Sequence, residues 1–201
     1  MTEKPSIGIM GGTFDPIHYG HLALAEEAHY RFGLKRVLFV PCKQPPHKKD
    51  YQITDPEQRF EMTRLAIQDN PKFEVSRVEL DRPGYSYTID TVSALRQANP
   101  QVGSYYFITG ADAILEILTW KEPHRLADLC QLVAASRPGY DLSAFQERVG
   151  EDLARRIHVL CVPGVDISST DLRRRVSQGA PIRYLIPDSA RAYIETRGLY
   201  H

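Results

Sequence analysis

Gly11-Gly12-Thr13-Phe14-Asp15-Pro16-Ile17-His18-Tyr19-Gly20-His21 is a glycine-rich stretch that joins two segments of different pattern. It follows the short apolar run at residues 7–10 and precedes residues 22–28, whose composition is strongly helical. The pattern therefore predicts a connection that leads from a β-strand into an α-helix. We expect the chemistry of the protein to occur at this connection.

The start of the predicted helix is suited to binding a phosphate. The first turn of a helix leaves backbone N–H groups without intrahelical partners and carries the positive end of the helix dipole. Gly11, Gly12 and Gly20 carry no side chain that would keep a phosphate from the backbone. His18 and His21 are three residues apart, so both imidazoles should lie on one face of the helix. A plain tight turn with two surface histidines is the alternative, and a zinc site is disfavoured because no third ligand lies at an obvious spacing.

The same residues resemble the signature of the nucleotidyltransferases. In that signature, a Gly-Gly-Thr-Phe-Asp-Pro turn is followed by Thr or His, any residue, Gly and His. The His form is present here as His18-Tyr19-Gly20-His21. Ile17 stands where many relatives have a second proline, and it contributes no polar group, so the binding chemistry is unaffected.

Composition and charge limit the remaining possibilities. A chain of 201 residues suits one well-buried α/β domain and is short for two, so residues 1–201 are assigned to a single domain. Lys plus Arg and Asp plus Glu both number 25, which favours neither nucleic acid nor a membrane surface as a partner. The sequence shows no signal peptide and no membrane-spanning apolar run, so we expect a cytoplasmic protein. Its three cysteines should be reduced and structural.

Predicted strands and helices alternate along the rest of the chain, as they do in parallel βαβ folds with right-handed crossovers. After the first strand, further strands are expected at residues 36–40, 73–80, 105–109, 131–135 and 157–162. Helices are expected to end at Phe32, to run from Pro56 to Asn70, and to cover residues 92–96, 142–156, 168–178 and 187–197.

A second helix start with anion-binding character is predicted at residues 167–176. Ser168 or Ser169 can cap this helix while neighbouring hydroxyl and N–H groups, including Thr170, face outward. Arg173, one turn further on, adds a planar guanidinium suited to phosphate. Ordinary capping with a solvated basic face is the alternative.

Two further segments have both a functional and a structural interpretation. In residues 84–91, hydroxyl groups and an acidic side chain lie near a helix start, and the residues alone favour ordinary capping by Ser86 or Thr88. Trp120 follows a strand and precedes Lys121, which suits either a core position or stacking on an aromatic ligand.

A proline-rich segment at residues 41–50 should form a loop at the carboxyl end of a strand, where open α/β sheets bind ligands. It carries His47 and Lys48. These two side chains either belong to a solvated basic loop or close over the phosphates of a nucleotide.

Taken together, these stretches resemble bacterial nicotinate-mononucleotide adenylyltransferases over essentially the whole chain. Ser86-Tyr87-Thr88-Ile89-Asp90-Thr91 matches that family's Ser-Tyr-Thr-x-Asp-Thr signature, and residues 167–173 match Ile-Ser-Ser-Thr-x-x-Arg. Gly110-Ala111-Asp112 and Trp120 match its substrate region. The first and last patterns are shared by many nucleotidyltransferases and indicate the reaction type, whereas the middle two point to a pyridine nucleotide.

The resemblance implies an α/β fold with a doubly wound, Rossmann-like parallel sheet of five or six strands. It also implies the reaction of ATP with nicotinate mononucleotide to give nicotinate adenine dinucleotide (deamido-NAD) and pyrophosphate in NAD biosynthesis. Mg²⁺ would accompany ATP and be held mainly by its phosphates. The donors that stabilise the transition state would be His18, His21 and Arg173.

The implied binding residues fall into three groups. ATP would be held by Gly11, Gly12, Thr13, Phe14, His18, His21, Ser168, Ser169, Thr170 and Arg173. Nicotinate mononucleotide would be held by Ser86, Tyr87, Thr88, Asp112, Trp120 and Lys121. A possible phosphate loop would carry His47 and Lys48.

Other activities compatible with the sequence are an adenylyltransferase for nicotinamide mononucleotide or phosphopantetheine, and a nucleotide-binding sensor without turnover. Trp120 and residues 86–91 argue against phosphopantetheine. The presence of His18, His21 and Arg173 argues against a sensor. The sequence carries no signal for an oligomeric state.

Overall fold

A single six-stranded sheet forms the centre of the computed structural model, which describes residues 4–45, 53–136, 145–162 and 166–201. Its strands are β1 (Ser6–Gly12), β2 (Arg36–Pro41), β3 (Phe73–Val75), β4 (Ser104–Gly110), β5 (Gln131–Ser136) and β6 (Ile157–Cys161). They lie in the order β3-β2-β1-β4-β5-β6, and every neighbouring pair is parallel. The doubly wound parallel sheet expected from the resemblance is therefore confirmed, and the strand order reverses between β1 and β4.

Helices cover both faces of this sheet. They are α1 (Tyr19–Arg31), α2 (Pro56–Ile67), α3 (Thr88–Ala98), α4 (Ala111–Leu115), α5 (Pro123–Leu129), α6 (Phe145–Val149), α7 (Glu151–Ala154), α8 (Ser169–Ser177) and α9 (Asp188–Arg197), with a 3-10 turn at Ile117–Thr119. Successive strand side chains point to opposite faces. Met10 therefore packs with α1, α2, α8 and α9, whereas Ile9 packs with α3, α4 and α5.

The strand predicted at residues 73–80 is shorter than expected, because β3 ends at Val75. Beyond it, Ser76 N–H donates to the carbonyl of Phe39 at 2.8 Å, and residues 78–80 turn away from the sheet. Glu79 is then buried and accepts a hydrogen bond from Thr91 Oγ1 at 2.6 Å. The alternation of polar and apolar residues therefore predicted a strand correctly as far as Val75. Beyond Val75, the chain follows the buried hydrogen bond between Glu79 and α3 instead of the sheet.

The helix predicted at residues 142–156 is wrong as a continuous element. Within the described part of that segment, α6 and α7 are separated by Gly150, whose φ of 80° is incompatible with a right-handed helix. The short α5 was not predicted, since its 7 residues are too few to show a clear helical period. No helix among the described residues has both the length and the apolar character needed to cross a membrane.

The buried Cys130 provides a first testable prediction. Burial raises the pKa of the Cys130 thiol to about 12, whereas Cys161 is exposed. Because the thiolate is the reactive form, iodoacetamide at about pH 8 should alkylate Cys161 quickly and Cys130 very slowly in the folded protein. Peptide mass spectrometry of timed samples measures both rates, and denaturant should abolish the difference. Equal rates in the folded protein would contradict the assigned position of Cys130.

Candidate active site

The signature stretch leaves the sheet where the strand order reverses, at the carboxyl end of β1. Ligands of open α/β sheets bind at this point because adjacent loops diverge there. Gly12 C=O accepts from the N–H of Cys42 at 2.8 Å, which holds the chain leaving β1 beside the chain leaving β2. Phe14 then adopts a φ of 49° and packs its buried ring against Phe39. The loop is thus anchored to the core before α1 begins.

The glycines of the signature make room for protein side chains. A Cβ at Gly12 would lie 2.7 Å from the Phe14 ring, and one at Gly20 would lie 3.0 Å from Nδ1 of His18. Real Cβ contacts are essentially never shorter than 3.0 Å. The sequence interpretation assigned these glycines to phosphate access, and the structure adds that close packing inside the loop requires Gly12 and disfavours a side chain at Gly20.

His18 and His21 stack on each other at the start of α1. Their ring centroids are 3.7 Å apart and their planes are inclined by 25°, so the prediction that both imidazoles share one face is confirmed. His21 Nδ1 accepts a hydrogen bond from the backbone N–H of His18 at 3.2 Å. A neutral imidazole that accepts at Nδ1 carries its proton on Nε2. His21 Nε2 is therefore a hydrogen-bond donor.

The start of α8 is bound to the signature loop. Ser168 is the N-cap of α8, and its side chain accepts from the N–H of Asp171 at 3.1 Å, as the capping pattern predicted. Ser169 Oγ donates to the carbonyl of Pro16 at 2.8 Å, although 153 positions separate the two residues. The two helix starts that the sequence singled out as anion-binding are therefore neighbours in the fold.

Arg173 reaches from α8 to the same loop. Its Nη1 donates to the main-chain oxygen of Asp15 at 2.7 Å, and its Nη2 donates to Thr170 Oγ1 at 3.3 Å. These contacts hold one edge of a partly exposed guanidinium. A planar fork fixed in this way is oriented before any ligand arrives.

Arg59 is a site residue that the sequence interpretation missed. It is fully buried, and its guanidinium donates to three main-chain carbonyls, those of Thr54 at 2.7 Å, Thr13 at 2.7 Å and Lys43 at 3.4 Å. These carbonyls belong to the loops after β1, after β2 and before α2. The available signal was helical periodicity, because Arg59 is the first position of the buried stripe of α2, which continues with Met62, Thr63, Ala66 and Ile67.

A cavity of about 520 Å³ opens beside the signature loop. Of the residues assigned to ATP, Gly11, Gly12 and Thr13 line it. Of the residues assigned to nicotinate mononucleotide, the cavity is lined by Ser86, Tyr87, Thr88, Trp120 and Lys121. Asp112 is exposed at the start of α4 and is not among the described lining residues. The structure thus brings together most of the residues assigned to nicotinate mononucleotide, and the cavity borders three of the residues assigned to ATP.

Aromatic rings and a paired lysine form one side of this cavity. The half-buried Trp120 packs edge-on against Phe107, with centroids 5.8 Å apart. Lys121 Nζ lies 3.0 Å from both carboxylate oxygens of Asp90 and 5.0 Å from the centre of the Tyr87 ring. The ammonium charge of Lys121 is therefore shared with Asp90 before any ligand binds.

Ser86 stabilises the loop that follows β2. Its Oγ accepts from the N–H groups of Lys43 at 3.1 Å and Gln44 at 3.4 Å, and its own N–H donates to Gln44 C=O at 3.0 Å. The expectation that Ser86 or Thr88 caps α3 is wrong, because the N-cap is Tyr87 and no side chain caps the helix. The Ser86 oxygen is already used by the neighbouring loop.

This arrangement predicts a measurable role for the Ser86 hydroxyl. Both acceptor positions of Oγ are occupied, so its proton is available for donation into the cavity that Ser86 lines. We expect Ser86→Ala to lower kcat/KM for nicotinate mononucleotide about tenfold, the effect of losing one hydrogen bond to a charged group. The matched control is Ser93→Ala on α3, the helix that follows Ser86. Steady-state kinetics that give Ser86→Ala the parental kcat/KM would contradict this role.

His47 and Lys48, which the resemblance assigns to a possible phosphate loop, lie outside the described residues. Within the parts of the chain that the structure describes, no three His, Cys, Asp or Glu side chains converge as a metal site. The donors that do converge are imidazole, guanidinium and backbone N–H groups, which bind phosphate oxygens.

Comparison with known proteins assigns the family. The cytidylyltransferase-like family matches residues 9–175. A probable nicotinate-nucleotide adenylyltransferase of Moorella thermoacetica is 53% identical over 203 residues, covering 100% of this chain and 94% of that protein. A protein of the same name from Thermus thermophilus is 48% identical, covering 96% of this chain and 98% of that protein.

The chain belongs to the nicotinate-nucleotide adenylyltransferase family. It is therefore a nucleotidyltransferase, as the resemblance implied. Among solved structures, Plasmodium falciparum nicotinic acid mononucleotide adenylyltransferase complexed with NaAD superposes with a TM-score of 0.77 at 21% identity, covering 98% of this chain and 97% of that one. The complex of the same enzyme with APC gives a TM-score of 0.76 at 20% identity, with coverage of 98% and 97%. These two likenesses show that the family fold is present over the whole sheet.

Proposed function

We propose that this member of the nicotinate-nucleotide adenylyltransferase family transfers the adenylyl group of ATP to nicotinate mononucleotide. The products are nicotinate adenine dinucleotide and pyrophosphate. One observation carries the proposal: the starts of α1 and α8 meet on the signature loop, beside a cavity lined by aromatic and hydroxyl side chains. Two anion-binding helix starts suit the triphosphate, and the cavity suits a planar pyridine ring.

The reacting groups determine what the protein must supply. An oxygen of the acceptor's phosphate attacks the α-phosphorus of ATP, a new P–O bond forms, and the bond to the bridging oxygen of pyrophosphate breaks. The attacking oxygen is already anionic, so no strong general base is needed. Catalysis then consists of aligning two polyanions and neutralising the charge that develops on the α-phosphate and the leaving group. We assign this neutralisation to His18, His21 and Arg173.

The proposed binding of ATP follows from the same geometry. Its phosphates would lie against the first turn of α1, where His21 Nε2 is a donor, and against the oriented guanidinium of Arg173. The further ATP contacts are assigned to Gly11, Gly12, Thr13, Phe14, Ser168, Ser169 and Thr170. Mg²⁺ would accompany ATP and be held mainly by phosphate oxygens, where it reduces their negative charge. The cationic and N–H donors of this site complement such a complex.

The acceptor would occupy the cavity. Trp120 and Tyr87 present aromatic faces to the pyridine ring. No side chain caps α3, and in its first turn only the N–H of Asp90 donates to the carbonyl of Tyr87, so the N–H groups of Thr88 and Ile89 are available to a carboxylate. Since Lys121 already pairs with Asp90, we assign the recognition of the nicotinate carboxylate mainly to backbone N–H groups near Tyr87 and Thr88. Ser86 and Asp112 complete the proposed acceptor residues.

This assignment predicts selectivity for the acid over the amide. A carboxylate only accepts hydrogen bonds, whereas a carboxamide brings N–H donors of its own that meet the backbone N–H groups. We expect kcat/KM for nicotinate mononucleotide to exceed that for nicotinamide mononucleotide at least about tenfold. Equal values for the two acceptors would contradict the recognition of the carboxylate by N–H groups.

One assay tests the proposed function as a whole. Pyrophosphate release is measured with ATP, Mg²⁺ and, in turn, nicotinate mononucleotide, nicotinamide mononucleotide and phosphopantetheine. We expect the fastest release with the first, little with the second and none with the third. Reactions without an acceptor are the control for ATP hydrolysis. Saturable ATP binding without release of pyrophosphate from ATP in the presence of any of the three acceptors would overturn the proposal in favour of a sensor.

The remaining expectations stay predictions. The balanced charge of the chain favours no nucleic acid or membrane partner, and ATP with nicotinate mononucleotide are the proposed partners. Location in the cytoplasm is expected from the sequence, and cell fractionation would test it.

A further inference from the structure

Tyr200 lies against the signature loop although 185 positions separate it from Asp15. α9 brings it there: Ser189 Oγ donates to Leu65 C=O of α2 at 2.9 Å, and α9 is followed by its C-cap Gly198, whose φ is 58°. The left-handed conformation at Gly198 turns the chain back toward the core. The Tyr200 hydroxyl then donates to Asp15 Oδ1 at 2.7 Å.

The Asp15 carboxylate depends on this hydrogen bond. The side chain is buried, with 1% of its surface exposed, and a buried carboxylate is costly unless its oxygens accept hydrogen bonds. Oδ2 accepts from the N–H of Thr54 at 3.3 Å, and Oδ1 accepts from Tyr200. Burial and the nearby negative charge of Asp15 raise the pKa of Tyr200 above its usual range, so the hydroxyl keeps its proton and remains a donor at neutral pH.

Asp15 also holds Arg173, but through a different atom. The main-chain oxygen of Asp15 accepts from Arg173 Nη1 at 2.7 Å. The carboxylate and this carbonyl belong to one residue, so the position of the first restricts the position of the second. Tyr200 and Arg173 are thereby linked through Asp15.

We propose that Tyr200 is a positioning residue, which fixes Asp15 so that its main-chain carbonyl orients the guanidinium of Arg173 toward the transferring phosphate. The inference rests on the proposed function, because Arg173 is assigned there to charge neutralisation. Without the hydroxyl, the buried carboxylate turns toward another donor and takes its carbonyl with it. A displacement of about 1 Å in a charge-neutralising group costs up to about a hundredfold in rate.

The first experiment removes one oxygen atom. Tyr200→Phe should lower kcat about tenfold to a hundredfold while leaving KM for ATP and for nicotinate mononucleotide within about threefold. The matched control is Tyr193→Phe on α9, because the Tyr193 hydroxyl makes no hydrogen bond to a described residue and its removal should leave kcat unchanged. A folded Tyr200→Phe variant with the parental kcat would overturn the proposal.

The second experiment separates positioning from a general loss of stability. If Tyr200 acts through Arg173, Tyr200→Phe should reduce kcat less than about threefold when it is added to Arg173→Lys, where the oriented fork is already absent. A purely structural effect would reduce kcat by the same factor in both backgrounds, and this result would overturn the proposal. Denaturant unfolding of all four proteins measures the change in stability independently.

A second set of variants and an activity control on the parental protein keep the test decisive. If Tyr200→Phe does not fold, the comparison is repeated in proteins that also carry Asp15→Asn, in which no buried charge loses its donor. In proteins that carry Asp15→Asn, the proposal is again overturned if Tyr200→Phe reduces kcat by the same factor with and without Arg173→Lys. Parental protein that releases no pyrophosphate from ATP with nicotinate mononucleotide would refute the proposed function, whereas an active parent with an unaffected Tyr200→Phe variant refutes only the role of Tyr200.

Discussion

Replacing His18 or His21 by alanine should lower turnover by about 10²–10³-fold, the range for losing one transition-state hydrogen-bond donor. The two rings stack at the start of α1, and His21 Nε2 carries a proton because Nδ1 accepts from the His18 N–H. In the proposed function, His21 Nε2 donates to the phosphates, and His18 stacks on His21 on the same face of the helix. Steady-state kinetics with ATP and nicotinate mononucleotide measure the effect, which should appear in kcat more than in KM.

The matched control for both variants is His29→Ala, in the last turn of the same helix. It removes an imidazole from α1 at the end that faces away from the signature loop, so kcat should stay within about twofold. The His18 ring is buried and stacks on His21, so His18→Ala is also expected to lower stability by about 1 kcal/mol. A His21→Ala variant that folds like the parent and keeps a rate within a few-fold of it would refute the assigned role.

Replacing Arg59 by methionine should lower the free energy of unfolding by about 3 kcal/mol or more. Methionine fills much of the same volume but leaves the carbonyls of Thr13, Lys43 and Thr54 without their donor, and each buried carbonyl that loses its donor costs about 1–3 kcal/mol. Because two of these loops border the active site, kcat should fall as well. Urea unfolding followed by circular dichroism measures the loss of stability.

Arg64→Met provides the control on the same helix. Arg64 lies on the surface and pairs with Glu61 three residues away, an interaction worth less than about 1 kcal/mol. The two substitutions are chemically identical and differ only in burial. If Arg59→Met were no more destabilising than Arg64→Met, the three hydrogen bonds assigned to the buried guanidinium would not contribute to the folded state.

Local patterns predicted the elements whose determinants lie within a few residues. The strand that leads into the signature, the common face of the His18 and His21 imidazoles, and the Ser168 cap of α8 all depend on neighbours within one turn. Contacts between distant segments caused the errors. Ser86 was expected to cap its own helix, but its oxygen accepts hydrogen bonds from the loop after β2 instead. Gly12 was assigned to ligand access, which stays a prediction, and it also has a local packing role because the Phe14 ring occupies the space that a Cβ would need.

Two polar residues of the site had no functional signal in the sequence. Arg59 occupies a core position on α2, where its charge is balanced against carbonyls from three loops. Tyr200 meets Asp15 only because α9 packs against α2 and the chain turns back at Gly198. Both side chains act through partners that are far away in sequence, so their surroundings exist only in the folded chain.

The sequence by itself determined the family, the parallel α/β fold and the residue types that we propose to face the phosphates. It did so because a strand-to-helix turn with fixed spacing and unpaired helix N–H groups is defined by short-range chemistry. Only the tertiary structure decided that the start of α8 contacts the loop that leads into α1 and that Ser86 stabilises the loop after β2. It also decided that Arg59 and Tyr200 hydrogen-bond to the signature loop. Buried polar groups must find partners wherever the packed chain provides them, and packing, not local sequence, selects those partners.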